Sequence, residues 1–219
     1  MASPACWPPS GPRSTVTEQT PRRIVLATRN PGKLAELAQM LEPLALHVAP
    51  VSQFDAGDVE ETATTFVENA LIKARAAALV SKLPAVADDP GLEVDALGGA
   101  PGVRSARYAG SGASDEDNVR KLLHALADAE DAGRTARFHC VAVYLAHSED
   151  PSPIICEGVW EGRITREPRG RGGFGYDPVF EDLDSCSTAA ELSQDRKNAL
   201  SHRGQAMAAL VEQLRRRAR

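Results

Sequence analysis

The sequence predicts an α/β or α+β fold in which helices cover a mixed β-sheet. Short apolar runs with strand character alternate with segments whose apolar residues recur at helical spacing. Two long β-rich runs later in the chain are separated only by a Pro-rich turn, which predicts an antiparallel hairpin. A chain of 219 residues is long enough to bury a sizeable core in one large or two small lobes.

The first part of the chain is expected to alternate between strands and helices. Continuous apolar runs and the Asn30-Pro31-Gly32 breaker define the strands, while apolar positions at helical spacing and an Ala-rich pattern define the helices. Three strands are therefore expected, at residues 24–27, 44–51 and 84–87, the last of them ending on Asp88-Asp89. Two helices are expected, at residues 34–41 and 62–81.

The second part begins with a glycine-rich region, residues 90–113, whose weak periodicity predicts a structured loop. Ser114 is a natural N-cap for a helix that follows it, and Thr188 with Glu191 matches a capping box. The remaining expected elements are a helix at 115–127, hairpin strands at 136–146 and 154–164, and a terminal helix with apolar positions between 206 and 214.

The overall composition excludes several classes of protein. The formal net charge of -5 leaves no global basic field to hold a long nucleic acid, and no run approaches the roughly 18 apolar residues of a membrane span. None of the four cysteines forms a C-x-x-C pair, so neither a structural zinc site nor a disulfide framework is indicated. We therefore expect a protein of a reduced, cytoplasmic compartment with no nucleic-acid or membrane partner.

The two ends of the chain differ in composition from the rest. Residues 1–22 are rich in Pro, Ser and Thr and lack an apolar h-region, so we expect a disordered extension or an over-called start rather than a secretory signal. Residues 23–214 contain no clear linker and are expected to form a single domain. The basic residues 215–219 are expected to be a solvated helix end rather than a nucleic-acid arm.

A first candidate site is the segment Thr28-Arg29-Asn30-Pro31-Gly32-Lys33, which joins a buried strand to a helix. A helix start offers backbone N–H groups and a positive dipole end to a phosphate, and Lys33 adds a charge. Leu34 follows Lys33 where a Walker A loop has Ser or Thr, so that motif is absent. On this segment alone, a plain strand-to-helix turn is the alternative.

Acidic residues supply two further candidates. Glu60-Glu61 precedes a helix on which Asn69 and Lys73 continue a polar stripe, although acidic residues there also serve as simple dipole partners. Asp88-Asp89 follows a buried strand at a position where α/β proteins place ligands. Carboxylate oxygens suit Mg²⁺, but aspartates before Pro90-Gly91 could equally initiate a turn.

Two later segments could recognise a base. The run from Gly170 to Pro178 satisfies G-x-G-x-x-G, but Tyr176-Asp177-Pro178 follows instead of a helix, so a dinucleotide fingerprint fails. Its glycines around Phe174 could let that ring stack on a base, or they could form an ordinary turn with core aromatics. Ser201 is expected to cap the last helix, which places His202 and Arg203, with Lys197 before them, near its positive end.

Taken in order, these segments resemble one known family. The motifs are T-x-N-x-G-K, E-E-T…T-F-x-E-N-A-x-x-K-A, A-D-D-x-G-L-E-V-D-A-L-G-G-A-P-G-V, G-F-G-Y-D-P, and A-E-L…K-N…S-H-R-G. Over about residues 23–214 the chain is similar to the inosine/xanthosine triphosphate pyrophosphatase family. The resemblance implies an elongated mixed β-sheet flanked by helices, two lobes with the active-site cleft between them, and a homodimer. It also implies Mg²⁺-dependent hydrolysis of ITP, dITP, XTP and dXTP to the monophosphate and pyrophosphate.

The resemblance also assigns residue roles by motif position. Glu60 and Asp89 would bind Mg²⁺, and Asp89 would also accept the proton of the attacking water. Phe174, next to Gly175 and Tyr176, would stack on the base, while Asp177, His202 and Arg203 read its edge. The phosphates would contact Thr28, Arg29, Asn30, Pro31, Gly32 and Lys33, with Lys73, Pro90 and Lys197 nearby.

Two positions depart from the family pattern. Pro90 stands where the family usually has Ser, and Arg104 stands where it commonly has an aromatic residue. Proline lacks a hydroxyl and a backbone N–H, which predicts weaker phosphate binding or slower turnover. One alternative function is a nucleotide sensor that has lost catalysis through Pro90. A separate alternative is a related pyrophosphatase that acts on modified pyrimidines.

Overall fold

The computed structural model describes residues 23–54, 57 and 59–217, so the expected extension 1–22 and the last two residues of the basic end lie outside it. The described part forms seven strands and five α-helices joined by short 3₁₀ turns. The strands are β1 (Arg23–Leu26), β2 (His47–Pro50), β3 (Ala85–Val94), β4 (Pro101–Gly102), β5 (Thr135–Leu145), β6 (Ile154–Ile164) and β7 (Phe180–Asp182). The helices are α1 (Pro31–Leu41), α2 (Phe66–Ser81), α3 (Asp115–Ala125), α4 (Gln194–Leu200) and α5 (His202–Arg217).

The strands form one mixed sheet in the order β2-β1-β3-β5-β6-β7, with β4 paired to β3. β1 runs parallel to both β2 and β3, whereas β3, β5, β6 and β7 are successively antiparallel. The expected mixed α/β fold and the long hairpin of β5 and β6 are thus confirmed. Among the described residues, no helix combines the length and apolar character that a membrane crossing requires.

The third strand is longer than expected, and the prediction that it ends at Asp88-Asp89 is wrong. β3 continues to Val94 and pairs with β5 along its whole length, so residues 90–94 are not a loop. Backbone groups along an antiparallel strand alternate in direction. The Val86 carbonyl accepts the Ala27 N–H just after β1, and the Leu92 N–H donates to the Ser105 hydroxyl, so both groups face away from β5. Pro90 lies two residues before Leu92, so its nitrogen faces away from β5 as well. Proline therefore removes no ladder hydrogen bond there.

Several element boundaries differ from the expected ones because local capping decides them. α2 begins at Phe66 rather than near residue 62, since the Thr65 side chain accepts the Glu68 N–H. Glu61 consequently lies outside the helix and not on its polar stripe. The capping box expected at Thr188 forms a turn without a helix, and the next helix, α4, instead starts after Ser193.

Two other capping predictions are confirmed. Ser114 and Asp117 form a reciprocal capping box at the start of α3. The Ser201 hydroxyl accepts the Gly204 N–H at 3.1 Å, so it caps the start of α5. Residues 215–217 form the last turn of the same helix.

Helices cover both faces of the sheet around its central strands. On one face, α1 and α5 pack on apolar side chains of β1, β3, β5 and β6; on the other, α2 packs on β3 and β5. A third apolar cluster joins α3 to the far ends of β3, β5, β6 and β7. On the edge of β3 that faces away from β5, the pairing with β1 ends at Val86 and the pairing with β4 begins at Leu92. Asp88 and Asp89 lie in the gap between these two partners.

Candidate active site

Asp88 and Asp89 lie side by side at the gap along β3 and point to opposite faces of the sheet. Side chains alternate along a strand, so Asp88 shares its face with α1 and α5 and Asp89 shares its face with α2. Asp88 accepts a hydrogen bond from Arg203 Nε at 3.0 Å, and Asp89 accepts one from Lys73 Nζ at 2.5 Å. Two adjacent carboxylates therefore have separate cationic partners.

The start of α1 supplies the segment expected to hold phosphate. Asn30 is its N-cap, and Asn30 Oδ1 accepts the N–H groups of Gly32 at 2.9 Å and Lys33 at 3.1 Å. Pro31 occupies the first helical position, where no N–H is needed. The two N–H groups are thus capped by Asn30 rather than free, so a phosphate must displace that side chain to reach them. Lys33 Nζ lies 3.9 Å from Asp88.

The two aspartates differ in acidity because their surroundings differ. Burial would raise the pKa of Asp88, but Lys33 and Arg203 hold that pKa well below its usual range. Burial raises the pKa of Asp89, and the neighbouring Glu61 and Asp88 act in the same direction against Lys73. Asp89 is therefore the better proton acceptor of the pair, and Asp88 is a fixed charge.

An acidic and basic cluster lies beside Asp89 on the α2 face. Lys73 Nζ also donates to Glu61 Oε1 at 3.2 Å, and Arg107 binds both the carboxylate and the carbonyl of Glu61 at 3.0 Å each. Burial alone would raise the pKa of Glu61, but Lys73 and Arg107 lower it. Glu60, the other expected metal ligand, is exposed, so it is Glu61 that faces this cluster.

The donor set at this cluster fits a magnesium ion. Mg²⁺ typically takes one or two protein carboxylates and fills its other positions with water and substrate phosphate oxygens. Glu61 and Asp89 supply hard oxygen atoms within reach of one ammonium group, Lys73 Nζ. In the part of the chain that the structure describes, no three His, Cys, Asp or Glu side chains form a complete protein cage for a metal. A Mg²⁺ ion held by Glu61 and Asp89 would take its other ligands from water and substrate phosphate.

Two cavities meet at the start of α1. The first, of about 250 Å³, holds the charged groups and is lined by Thr28, Arg29, Lys33, Glu61, Lys73 and Asp88, among others. The second, of about 270 Å³, is more apolar and is lined by Pro90, Phe138, Phe174, Asp177, His202 and Arg203, among others. Thr28 and Lys33 line both, so one elongated molecule could occupy the two together.

The glycine-rich segment forms one wall of the second cavity. The Phe174 ring lies 4.8 Å from Lys197 Nζ and 5.5 Å from the guanidinium carbon of Arg203. The Asp177 carboxylate accepts from Lys197 Nζ at 2.7 Å and from the Phe174 N–H at 2.8 Å, and burial raises its pKa. Tyr176 is buried in the core with its hydroxyl donating to the Ser105 carbonyl, so it supports the wall.

The opposite wall comes from the first turn of α5. His202 is buried and stacked on Phe138, with ring centroids 4.6 Å apart and planes 12° apart. Burial holds the pKa of His202 well below its usual value, so the ring is neutral. Its Nδ1 atom is buried without a hydrogen-bond partner among the described residues.

Sequence reasoning missed several residues that the fold brings into the site. Glu61 was treated as part of a helical stripe, and Arg107, Glu36 and Asp115 carried no motif signal. Asp115 accepts the Gly175 N–H at 2.7 Å and so holds the glycine-rich wall against α3. These contacts join residues 46 to 167 positions apart, which no local pattern reveals.

Comparison with known proteins identifies the family. The chain is 55% identical over 194 residues to the dITP/XTP pyrophosphatase of Shigella flexneri, covering 89% of this chain and 98% of that protein. It is 56% identical over 192 residues to the dITP/XTP pyrophosphatase of Thioalkalivibrio sulfidiphilus, covering 88% of this chain and 98% of that protein.

The fold agrees with the same assignment. The structure of a HAM1 protein from Coxiella burnetii superposes with a TM-score of 0.84 at 52% identity, covering 89% of this chain and 99% of that one. The Ham1 family profile matches residues 24–213. The resemblance inferred from the motifs is thereby confirmed, and the chain belongs to the Ham1 family.

Proposed function

We propose that this protein hydrolyses faulty purine nucleoside triphosphates, namely ITP, dITP, XTP and dXTP, to the monophosphate and pyrophosphate. The observation that carries the proposal is the pair of cavities sharing Thr28 and Lys33, one charged and one lined by aromatic groups. A triphosphate fits the first and a base fits the second. The two curated relatives described above are named dITP/XTP pyrophosphatases, which supports the proposal.

The charged cavity holds the triphosphate in this proposal. The start of α1, from Thr28 to Lys33, approaches the phosphate oxygens, and Lys33 and Lys73 balance their charge. Lys197 lines the second cavity, where it contacts the Phe174 ring and donates to Asp177, so it approaches the substrate from the side of the base. Pro90 lines the boundary between the strand gap and the base cavity.

Hydrolysis requires water to attack the α-phosphorus while the bond to the bridging oxygen of pyrophosphate breaks. Asp89 accepts the proton of that water, since its raised pKa makes it the more basic carboxylate at the gap. Lys73, 2.5 Å from Asp89, orients the carboxylate and offsets the charge that develops on the phosphate. The products are a nucleoside monophosphate and free pyrophosphate.

Magnesium belongs to the same site in this proposal. Glu60 and Asp89 are the ligands that the family resemblance implies, but Glu60 is exposed and Lys73 contacts both Glu61 and Asp89, so we propose Glu61 in place of Glu60. Mg²⁺ held there would supply positive charge that offsets the phosphate charge and would make the phosphorus atom more electrophilic. Asp88 stays with Arg203 and Lys33 and keeps these cations in place.

The second cavity selects the base. Phe174 stacks on the purine ring, next to Gly175 and Tyr176, while Asp177, His202 and Arg203 contact its edge. A donor such as Arg203 pairs with a 6-keto oxygen but not with a 6-amino group, which leaves a buried donor unpaired. ATP is therefore expected to be a much poorer substrate than ITP.

The proposal also covers the domain organisation, the cellular location and the oligomeric state. Residues 23–214 act as one catalytic domain of two lobes on an elongated sheet, whose apolar clusters lie at opposite ends with the strand gap between them. The protein works in the cytoplasm as a homodimer. Sedimentation of the pure protein tests the dimer, and a monomer at micromolar concentration would contradict it.

One observation favours a nucleotide sensor as a second candidate. Pro90 faces the gap with no N–H and no hydroxyl, so a contact available to Ser is lost. A sensor would bind ITP tightly and release no pyrophosphate. Retention of Asp89 beside Lys73 argues for catalysis, because binding alone does not need a proton acceptor.

The decisive experiment is a substrate panel with Mg²⁺ on the wild type and on Asp89→Asn. We expect pyrophosphate release from ITP and XTP by the wild type, and a loss of about 10²- to 10⁴-fold in kcat for the variant, which lacks a proton acceptor. Asp128→Asn, at an exposed position in the turn after α3, is the matched control. Equal rates for wild type and Asp89→Asn would contradict the catalytic assignment, and faster hydrolysis of dTTP or UTP would indicate a pyrimidine enzyme.

A further inference from the structure

Glu36 lies on α1, the helix whose start is proposed to bind phosphate, and contacts Arg203 of the base cavity. It comes one turn after Lys33, and its side chain is 11% exposed. Its Oε2 atom accepts from Arg203 Nη1 of α5 at 3.0 Å, and its Oε1 atom accepts from Gln194 Nε2 of α4 at 3.0 Å. One carboxylate thus joins three helices that line the site.

Arg203 is held from two sides. Its Nε donates to Asp88 and its Nη1 donates to Glu36, each at 3.0 Å, and the guanidinium is 4% exposed. Within the described residues these contacts leave the two N–H groups of Nη2 and the second N–H of Nη1 available to a ligand. Both ends of the planar group are fixed, so the direction in which Nη2 points is fixed as well.

The charge of Arg203 is also balanced. Burial alone would lower its pKa, but Asp88 and Glu36 beside it raise the pKa above its ordinary value. A guanidinium between two carboxylates has little net charge left to attract a phosphate. It serves better as a fixed hydrogen-bond donor to a neutral carbonyl, such as the 6-keto oxygen of a purine.

We infer that Glu36 is a specificity-determining positioning residue, which aims Arg203 at the base and links base recognition to the phosphate-binding helix. The inference rests on the proposed function. Glu36 and Lys33 lie on the same helix, so α1 carries both the carboxylate that directs Arg203 and the lysine proposed to bind phosphate.

The test compares ITP, whose base carries a 6-keto oxygen and an N1–H, with purine riboside triphosphate, whose base carries neither. We expect Glu36→Ala to lower kcat/KM for ITP by about tenfold, the effect of weakening one hydrogen bond from a charged donor. Purine riboside triphosphate makes no such bond, so its kcat/KM should fall by less than about twofold. The loss for ITP should be mainly in KM.

Two further variants keep the test independent of folding. Glu36→Gln retains the shape and one acceptor oxygen, so it should restore part of the preference for ITP and would carry the test if Glu36→Ala did not fold. Glu42→Ala removes an exposed acid just after the C-terminal end of α1. It should leave the ratio of kcat/KM for ITP to kcat/KM for purine riboside triphosphate unchanged. Calorimetry with IMP and purine riboside monophosphate, without metal, should show the same selective loss of affinity.

The outcomes separate the inference from the proposed function. If the wild type hydrolyses ITP but Glu36→Ala lowers kcat/KM equally for the two substrates, Glu36 is only structural and the inference is wrong. If the wild type hydrolyses neither substrate, the proposed function fails, and the monophosphate calorimetry still tests the positioning role. The positioning role is supported if Glu36→Ala selectively lowers kcat/KM for ITP or, where the wild type is inactive, selectively lowers the affinity for IMP.

Discussion

At the scale of single residues, Asp88 and Asp89 have different surroundings although they are adjacent in the chain. Strand alternation sends Asp88 towards α1 and α5, where Arg203 and Lys33 surround it, and Asp89 towards α2 and Lys73. The first carboxylate therefore anchors cations, while the second has a raised pKa and suits proton transfer. Two adjacent residues thus differ in role: Asp88 is a fixed charge, and Asp89 is the proposed proton acceptor.

Pro90 gives the first residue-scale prediction. Pro90→Ser should raise kcat/KM for ITP by up to about tenfold, because the new N–H and hydroxyl face the gap and each can add one hydrogen bond to phosphate. Steady-state kinetics with ITP measures the gain. Pro84→Ser, which lies just before β3, is the control and should not increase activity. An unchanged value for Pro90→Ser would show that this position does not limit the enzyme.

At the scale of secondary-structure elements, the placement of α5 on the sheet decides the base cavity. Gly158 of β6 lies directly under the first turn of α5, and a Cβ atom there would be 2.1 Å from the His202 carbonyl oxygen and 2.7 Å from the Ala206 nitrogen. Only glycine permits this approach. The helix start that carries His202 and Arg203 therefore depends on one residue of the facing strand.

Gly158→Ala is the corresponding prediction. The added methyl group must push α5 away from β6, which should lower the free energy of unfolding by about 1–3 kcal/mol. It should also lower kcat/KM for ITP, since His202 and Arg203 move with the helix. Urea unfolding and kinetics measure the two effects. Gly133→Ala is the matched control, because nothing lies within 4 Å of its Cβ position. Full stability in Gly158→Ala would contradict the close packing described here.

At the scale of the whole molecule, the fold does not depend on the groups proposed to bind metal. Its apolar clusters come from the sheet and the helices on both faces, and each aspartate at the gap already has a cationic partner. The proposed catalytic site is thus an addition to a core that is complete without it.

Removal of metal tests that separation. Chelation with EDTA should abolish pyrophosphate release from ITP, since Mg²⁺ neutralises the phosphate charge. It should shift the thermal midpoint by less than about 2 °C, which corresponds to less than about 1 kcal/mol for a chain of this size. Circular dichroism follows the midpoint, and excess Mg²⁺ should restore activity. A large fall in the midpoint would mean that metal is part of the folding energy.

The sequence by itself determined the features that depend on local patterns. The alternating strands and helices, the hairpin of β5 and β6, and the caps at Ser114 and Ser201 were all predictable from nearby residues. The order of the five motifs also identified the family, which the comparisons confirm.

Only the tertiary structure decided the features that join distant parts of the chain. β3 runs on through Pro90 because the nitrogen of that residue faces away from β5, which local turn signals do not show. Glu61 rather than Glu60 meets Lys73, and Glu36 reaches Arg203 across 167 residues. Local propensity determines where elements form, whereas these contacts depend on how the sheet stacks the elements together.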